Sequence, residues 1–315
     1  MSTSYPKVRD ASALILHDCI CTVLLIIHQT LWICDQDLPG QFGRNVGRGV
    51  PPMFEINIAR WFDIPSLSLS EISPSEDLYV YHHLGLGDMI HLNGMVRYLL
   101  KELHPNCRIH VFCKERNAAM TGWMYRDEPR IQLECVRDGS NESEAVQRTL
   151  RERNATNYLS IGHRPLRRLE RQYPHTFFDQ LFYMQAGVPY DVRFSHCYWQ
   201  RDMDEEERVY RKLRPGPRYA FVHDDISRGY VIDTDAIDMP IVRNDVTESI
   251  FHLGLLLEHA TEVHCMESSI RCMIESLDMS HCRLFYHNFR YPDRPLGTAT
   301  NHCWVQVDRT LAKTA

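Results

Sequence analysis

The sequence predicts an α/β protein with two Rossmann-like domains that face a cleft, preceded by an irregular N-terminal extension. Three observations support this prediction. From residue 77 onward, short apolar strands alternate with helical patterns. The first strand ends in a Gly-x-Gly turn that enters a helix. A charged helix over 201–217 ends in Pro-Gly-Pro and separates two runs of the same kind. We therefore expect an extension over 1–76, a first Rossmann-like domain over 77–200 and a second over 201–315.

The extension carries an apolar run over 11–34 that resembles a membrane anchor. Two histidines, a glutamine and Asp18 interrupt the run, and an aspartate inside a membrane span costs about 2.5–3.5 kcal/mol on insertion scales. The stretch without formal charge, 19–34, is shorter than the roughly 20 residues that a span needs. We predict a buried or irregular segment, with a type II membrane anchor as the open alternative. Residues 35–76 are rich in Gly, Pro and Ser and are typical of a linker.

The regular part of the chain alternates strands with helices. Strands are predicted at 77–83, 107–115, 130–136, 157–162, 218–225, 261–268 and 282–290, with a further strand end at 241–244. Helices are predicted at 85–105, 142–153, 175–187, 201–217, 247–260 and 268–278. Strands that alternate with helices form a parallel sheet with helices on its faces. Ligands of such sheets bind outside the carboxyl ends of the strands.

Composition excludes several classes of protein. The 315 residues are 44% hydrophobic and 24% charged, which excludes a disordered chain and a multi-span membrane protein. A net charge of −6 gives no general attraction to nucleic acid, so we expect no nucleic-acid partner. None of the eleven cysteines forms a CxxC pair. We expect reduced thiols and a cytoplasmic location, which would be the host cytoplasm for a viral protein.

The sharpest local signal is the segment from His82 to Asp88. Gly85 and Gly87 allow the backbone to approach a ligand closely, and the start of the following helix favours anions. The third glycine of the dinucleotide fingerprint is missing. Asp88 is therefore either a first-turn carboxylate that stabilises its helix or a general base at the mouth of a cleft. The residues that we assign to the loop beside this base are His83, Gly85, Gly87 and His91.

Three groups at strand ends of the second half are candidates for binding a diphosphate-bearing ligand; in the donor interpretation given below they are the donor-binding residues. They comprise His223, Asp224, Arg228, Arg243, Asn244, Glu267, Ser268 and Ser269. The two serines suit an N-cap whose amide groups bind a diphosphate, although most such serines only cap their helix. Glu267 suits ribose hydroxyls, and either Arg228 or Arg243 suits a phosphate.

The order of these motifs resembles that of GT-B glycosyltransferase-like proteins from bacteria, phages and large DNA viruses. The segment LGDMIH is similar to the LGD-x-x-H opening of the heptosyltransferase family. In that family the aspartate after the glycine is the proposed catalytic base, which corresponds to Asp88, and a carboxyl-terminal loop and helix, here around 267–269, hold the nucleotide. The resemblance covers about residues 77–291. It implies that 77–200 is the acceptor-side domain and that 201–315 is the nucleotide-sugar-binding domain. The nucleotide-site sequence of the heptosyltransferases is not reproduced, so their sugar donor is not carried over.

The resemblance implies a glycosyltransferase that moves a sugar from a nucleotide-diphosphate donor to a hydroxyl of a glycan or glycoconjugate. The transfer is expected to be inverting, with no metal and no cofactor besides the nucleotide-sugar co-substrate. Two alternatives stay open. A metal-dependent GT-A-type enzyme would use Asp233 and Asp235, which spell a DxD motif. A non-catalytic protein would bind a nucleotide sugar or glycan without turnover. Seventeen histidines do not by themselves indicate zinc, since neighbours such as His82 and His83 point to opposite faces of a strand.

Overall fold

The first sheet has four parallel strands. The computed structural model describes residues 69–213, 215–289 and 299–307, and these lie in one compact unit. The strands are β1 (Leu78–Tyr81), β2 (Ile109–Lys114), β3 (Ile131–Val136) and β4 (Tyr158–Ser160), in the order β3-β2-β1-β4. The helices are α1 (Leu86–Tyr98, continued by a π-helical turn at Leu99–Leu103), α2 (Glu115–Tyr125), α3 (Glu142–Glu152), α4 (Arg164–Gln172), α5 (Phe178–Ala186) and α6 (Val192–Ser195).

The second sheet has five parallel strands. They are β5 (Ala220–His223), β6 (Ile241–Arg243), β7 (Glu262–Met266), β8 (Arg283–His287) and β9 (Trp304–Val307), in the order β6-β5-β7-β8-β9. The helices are α7 (Met203–Leu213), α8 (Gly254–Glu258) and α9 (Ser269–Ile274), with 3-10 turns at Ile226–Arg228 and Ile250–His252. The prediction of an α/β protein with two Rossmann-like parallel sheets is confirmed.

The central strands are apolar because both of their faces are covered. All four residues of β1 and all five of β7 are buried, which is the usual state of a strand inside a parallel sheet. One continuous core contains Leu78 and Val80 of the first sheet together with Phe221 and Val263 of the second. The two sheets therefore share apolar packing.

Each sheet has one topological switch point. In the first sheet the chain proceeds from β1 through β2 to β3 on one side and then places β4 on the other side of β1. In the second sheet β6 lies on one side of β5 and β7 on the other. Connections leave the sheet in opposite directions at such a point, which opens a crevice at the carboxyl ends of the strands. The crevices lie beside the β1–α1 loop and the β7–α9 loop, both of which carry predicted site residues.

Several predicted helices have different limits in the structure. The helix predicted over 175–187 begins at Phe178, where Gln180 Oε1 accepts a hydrogen bond from the amide of Phe177 at 3.2 Å. The helix predicted over 247–260 is a 3-10 turn followed by α8, because the buried Glu206 accepts a hydrogen bond from the amide of Leu255 at 2.7 Å. That carboxylate satisfies an amide group at the start of α8 and so defines a new helix start.

Four helices and strands were absent from the sequence prediction. These are α2, α4, α6 and β9. Only Thr121, Met124 and Tyr125 of α2 are buried, so the helix has little apolar periodicity. Strand β9 is short and has no fully buried residue, and it extends the sheet beyond the strand that was predicted to be last.

The N-terminal extension lies largely outside the described residues. This holds for the apolar run over 11–34 and for most of the linker, so the extension and the three domain boundaries stay predictions. Within the described ranges, no helix combines the length and the apolar character that a membrane crossing requires. The last residues before β1 form turns that pack on the first sheet, where Ile72 is buried and the amide of Ser73 donates to Asn157 Oδ1 at 2.9 Å.

Candidate active site

The loop between β1 and α1 places Asp88 at the edge of the first sheet. Gly85 is the N-cap of α1 in an extended conformation, and Asp88 lies half-buried in the first turn. A carboxylate oxygen of Asp88 lies only 2.7 Å from the point that a Cβ at Gly85 would occupy. A side chain at position 85 would therefore collide with this carboxylate, so the glycine leaves the space in which Asp88 sits.

The start of α1 touches the start of α9, which belongs to the second sheet. A Cβ on Gly87 would lie 3.3 Å from Sγ of Cys272 and 3.9 Å from Cα of Ser269. One turn further along α1, His91 Nε2 lies 3.3 Å from the same sulfur. The β1–α1 loop and the β7–α9 loop, predicted separately from the sequence, therefore meet in space. Asp88 and Ser269 lie on the two sides of this contact.

His91 and Cys272, which lie at this contact, are both uncharged at neutral pH. Burial, together with the charges of Arg193 and Arg271, holds the pKa of His91 well below its usual value. Burial raises the pKa of the Cys272 thiol to about 12. The thiol is thus no nucleophile at neutral pH. His91 Nδ1 is buried and has no hydrogen-bond partner among the described residues. The contact provides packing, whereas Asp88 supplies a carboxylate beside it.

Histidines line the switch point of the first sheet. The ring of His163, directly after β4, stacks on Tyr81 with centroids 4.2 Å apart, and His83 lies edge-on to it at 5.3 Å. Burial lowers the pKa of His82 to about 3 and that of His163 to about 4. Burial also lowers the pKa of His83. These imidazoles are therefore neutral at physiological pH. His82 is buried, whereas His83 and His163 are partly exposed and place uncharged rings beside the Asp88 loop.

The predicted phosphate-binding arginines are held in ion pairs. Arg243 Nη1 donates to the buried carboxylate of Asp224 at 2.6 Å, and Arg228 donates through Nε to Asp225. Both arginine side chains are more than one third exposed, 38% for Arg243 and 57% for Arg228. The carboxylates therefore orient the arginines and leave them accessible to a ligand.

The other polar groups at the ends of β5 and β6 are also connected. His223 Nδ1 lies 2.9 Å from Asn244 Oδ1, and burial lowers the pKa of His223. The second carboxylate oxygen of Asp224 accepts a hydrogen bond from the amide of Ile232 at 3.1 Å. The structure therefore pairs these predicted residues across the ends of β5 and β6, His223 with Asn244 and Asp224 with Arg243.

The β7–α9 loop combines a cap with a buried carboxylate. Ser268 Oγ accepts a hydrogen bond from the amide of Arg271 at 3.3 Å and so caps α9, one of the two roles expected for the serines. One carboxylate oxygen of Glu267 accepts a hydrogen bond from the hydroxyl of Tyr286. The other is buried and has no partner among the described residues. A buried carboxylate oxygen with no donor suits a ligand hydroxyl.

The structure adds residues that the sequence prediction missed. Arg271 is buried and lies over the rings of Tyr286 at 5.1 Å and Trp304 at 5.5 Å. It also pairs with Glu275 four residues on, at 3.6 Å. The spacing of arginine and glutamate was a signal for this pair, but opposite charges at that spacing are common on exposed helices. His163 and Cys272 gave no signal in the sequence, since their partners lie far away in the chain.

The DxD pair lies apart from the contact between α1 and α9. Asp233 and Asp235 are exposed on the connection between β5 and β6, and Asp233 Oδ1 accepts a hydrogen bond from the amide of Asp235 at 3.0 Å. Over the described ranges, no group of three or more His, Cys, Asp or Glu residues is arranged to hold a metal ion.

The chain has distant structural neighbours. No protein-family model matches the sequence, and no curated protein matches it. The crystal structure of a glycosyl transferase family 9 protein from Veillonella parvula DSM 2008 is similar with a TM-score of 0.49, at 11% identity over 75% of this chain and 88% of that one. The heptosyltransferase WaaC of E. coli with ADP is similar with a TM-score of 0.35, at 12% identity over 74% and 91%. At these scores the likeness assigns no activity.

Proposed function

We propose that the protein is a glycosyltransferase that transfers a sugar from a nucleoside-diphosphate donor to a hydroxyl group of a glycan or glycoconjugate. One observation carries the proposal, namely that the switch points of two parallel sheets meet where Gly87 touches Cys272 and Ser269. Each switch point is a ligand-binding crevice, so a site formed from both suits two substrates. The resemblance of the loop sequence to the heptosyltransferase opening supports the same function.

Asp88 is the proposed general base. It lies at the edge of the first sheet, beside the start of α9 on the second. In the proposed reaction its carboxylate takes the proton of the acceptor hydroxyl, the hydroxyl oxygen bonds to the anomeric carbon, and the bond from that carbon to the diphosphate oxygen breaks. A single displacement of this kind inverts the anomeric configuration. The lowered pKa of the neighbouring His91 makes it a weak base, and the Cys272 thiol stays protonated, so neither competes for the proton.

The second sheet supplies the proposed donor site. Arg243 and Arg228 would neutralise the leaving diphosphate, each oriented by its aspartate. Glu267 has a buried oxygen without a donor, which suits a ribose hydroxyl. If Arg228 and Arg243 bind the diphosphate as proposed, they would stabilise its charge directly, and for this reason we propose a transfer that does not depend on a metal ion.

The donor site is tested by the thermal stability of the full chain with UDP, GDP, ADP, CDP or dTDP, each with EDTA and with Mn²⁺. We expect one nucleoside diphosphate to raise the melting temperature to the same extent in EDTA as in Mn²⁺. A ligand at 100 times its Kd stabilises the native state by about 2.7 kcal/mol, which is a few degrees for a protein of this size. A shift that requires Mn²⁺ would favour the enzyme that uses Asp233 and Asp235. No shift with any diphosphate would contradict the proposed donor site.

A further inference from the structure

The first sheet carries an exposed basic surface that the proposed mechanism does not use. Helix α4 bears Arg167, Arg168 and Arg171, and all three side chains are exposed. Among the residues that the structure describes, none forms an ion pair with these guanidinium groups. Arg171 Nε does donate to the backbone carbonyl oxygen of Arg167, at 3.3 Å. We call the surface formed by these three arginines the α4 basic face.

This arrangement differs from that of the other charged helix. On α7, Arg208 pairs with Glu205 at 2.9 Å and Arg211 pairs with Glu207 at 2.6 Å. Helix α4 has no acidic residue in its first turn, and Arg167 and Arg171 have the four-residue spacing at which like charges destabilise a helix. The α4 basic face is therefore unfavourable for the helix itself, and in a chain of net charge −6 it is a local exception. Both facts favour a role in binding an anion.

Packing fixes the direction in which the α4 basic face points. Leu166 is buried, and Leu169 packs against the main core from the same helix. These two leucines hold α4 on the body of the first sheet, where it contacts α5. The three arginines face solvent, as does Glu170 of the same helix. The exposed side of α4 thus presents three positive charges and one negative charge, which leaves it basic.

The α4 basic face lies on the acceptor side of the candidate active site. Helix α4 begins directly after β4, and its N-cap is His163. The ring of that histidine lies 5.3 Å from the ring of His83, which precedes the glycine loop of Asp88. With a rise of about 1.5 Å per residue, the first arginine of the face lies roughly 6 Å along the helix from His163. Anionic groups next to the reacting part of an acceptor could reach it.

We infer that the acceptor is an anionic oligosaccharide whose phosphate or carboxylate groups bind Arg167, Arg168 and Arg171. The inference rests on the proposed function, because the Asp88 loop is what makes this side of the chain the acceptor side. The neutral rings of His83 and His163, which are partly exposed, would receive the sugar ring, and the arginines would select its charged substituents. Guanidinium groups bind phosphate and carboxylate through paired N–H donors, so both substituents fit the same face.

The test compares two triple variants of the full chain that change the net charge equally. One replaces the face as Arg167→Gln, Arg168→Gln and Arg171→Gln. The control replaces three exposed arginines on and just before α3, as Arg137→Gln, Arg148→Gln and Arg151→Gln. The probes are tetragalacturonic acid, a phosphomannan pentasaccharide, neutral maltotetraose and a single-stranded RNA tetramer. Binding is measured by calorimetry, and thermal melting establishes that each variant is folded.

We expect wild type and control to bind one of the two acidic oligosaccharides more tightly than maltotetraose. The probe that binds shows whether carboxylate or phosphate is selected. The α4 triple variant should weaken that binding about tenfold, because each exposed ion pair contributes little and three are lost together. Three results would overturn the inference: an equal loss of affinity in the two triple variants, tighter binding of the RNA than of the acidic oligosaccharides, or no binding of either acidic oligosaccharide. Diphosphate binding, measured on the same samples, separates the two proposals: its absence would contradict the donor site while leaving the result for the α4 basic face intact.

Discussion

At the scale of single residues, Gly162 leaves room for the rings of Phe182 and His83. Its φ is +78°, and a Cβ there would lie 2.7 Å from a ring carbon of Phe182 and 3.2 Å from one of His83. Gly139 has almost the same φ, +76°, but nothing lies within 4 Å of its Cβ position. Both glycines therefore have a left-handed backbone conformation, but only at Gly162 would a side chain clash with its neighbours.

The substitution Gly162→Ala should destabilise the protein more than Gly139→Ala does. The left-handed backbone costs each alanine about 1–2 kcal/mol, and the overpacking at position 162 should add about 1–3 kcal/mol. Urea unfolding of both variants measures the difference. Equal losses would mean that Phe182 and His83 move aside freely, and that the glycine is needed for its backbone conformation alone.

What the sequence reveals of the site depends on how far apart the interacting residues lie in the chain. The Asp88 loop was predicted because strand, glycines and helix start are contiguous. The same holds for Ser268, whose cap on α9 is local. The contact between His91 and Cys272 joins residues 181 positions apart, and no local pattern indicates it. The ion pairs of Arg228 and Arg243 were missed for a different reason: a cation that suits a phosphate also suits a neighbouring aspartate.

At the scale of elements, a buried ion pair joins α5, α6 and the C-terminal segment. Arg193 of α6 pairs with Asp179 of α5, and the side chains are 4% and 0% exposed. Arg193 also donates to the carbonyl oxygen of Ala299 at 2.8 Å, while the amide of Ala299 donates to Asp179 at 3.2 Å. The pair thus binds a peptide group of the segment that leads into β9.

The substitution Arg193→Met should cost about 3–5 kcal/mol, because it leaves the Asp179 carboxylate buried without its cation. Adding Asp179→Leu should recover part of the loss, though the peptide groups of Ala299 would still lack their partners. The control is Arg116→Met, whose ion pair with Asp138 is exposed and should contribute 1 kcal/mol or less. Chemical denaturation measures all three. A loss at position 193 no larger than that of the control would contradict a structural role for the pair.

The elements that the sequence predicted well are those with strong burial patterns. Strands β1, β2 and β7 are almost wholly buried and were predicted within three residues. Helix α8 was predicted too long because its start depends on Glu206, a buried carboxylate about fifty residues earlier in the chain. A buried strand is visible as an apolar run in the local sequence, whereas a hydrogen-bond partner far away in the chain is not.

At the scale of the whole molecule, buried histidines should make stability depend on pH. Burial lowers the pKa of His163 to about 4 and that of His82 to about 3, both below the ordinary value of 6.5. As the pH falls, these histidines therefore take up protons in the unfolded chain before they do so in the folded chain. Their contribution to the free energy of unfolding is full above pH 6.5 and decreases as the pH falls toward 4. Hydrogen bonds from Arg208 and Lys212 lower the pKa of Glu248 to about 2, which adds a loss in the same direction below about pH 4.5.

The histidine contribution is tested with His163→Gln. The wild-type loss from this one residue should reach at most about 3 kcal/mol near pH 4, and the variant should show a flatter decrease between pH 6.5 and 4.5. The matched control is His175→Gln, an exposed histidine. Urea unfolding across this pH range gives the slopes. Identical slopes for wild type and His163→Gln would rule out this histidine as a source of the pH dependence.

The central claim is that the meeting of the two switch points forms an active site in which Asp88 is the base. The most direct measurement is sugar transfer by Asp88→Asn, beside Asp204→Asn, an exposed first-turn aspartate of α7. The donor carries the nucleotide that the melting experiment identifies. We predict that Asp88→Asn lowers kcat about 10²–10⁴-fold while it keeps the Kd of the diphosphate, and that Asp204→Asn changes neither. Transfer at the wild-type rate by Asp88→Asn would contradict the account.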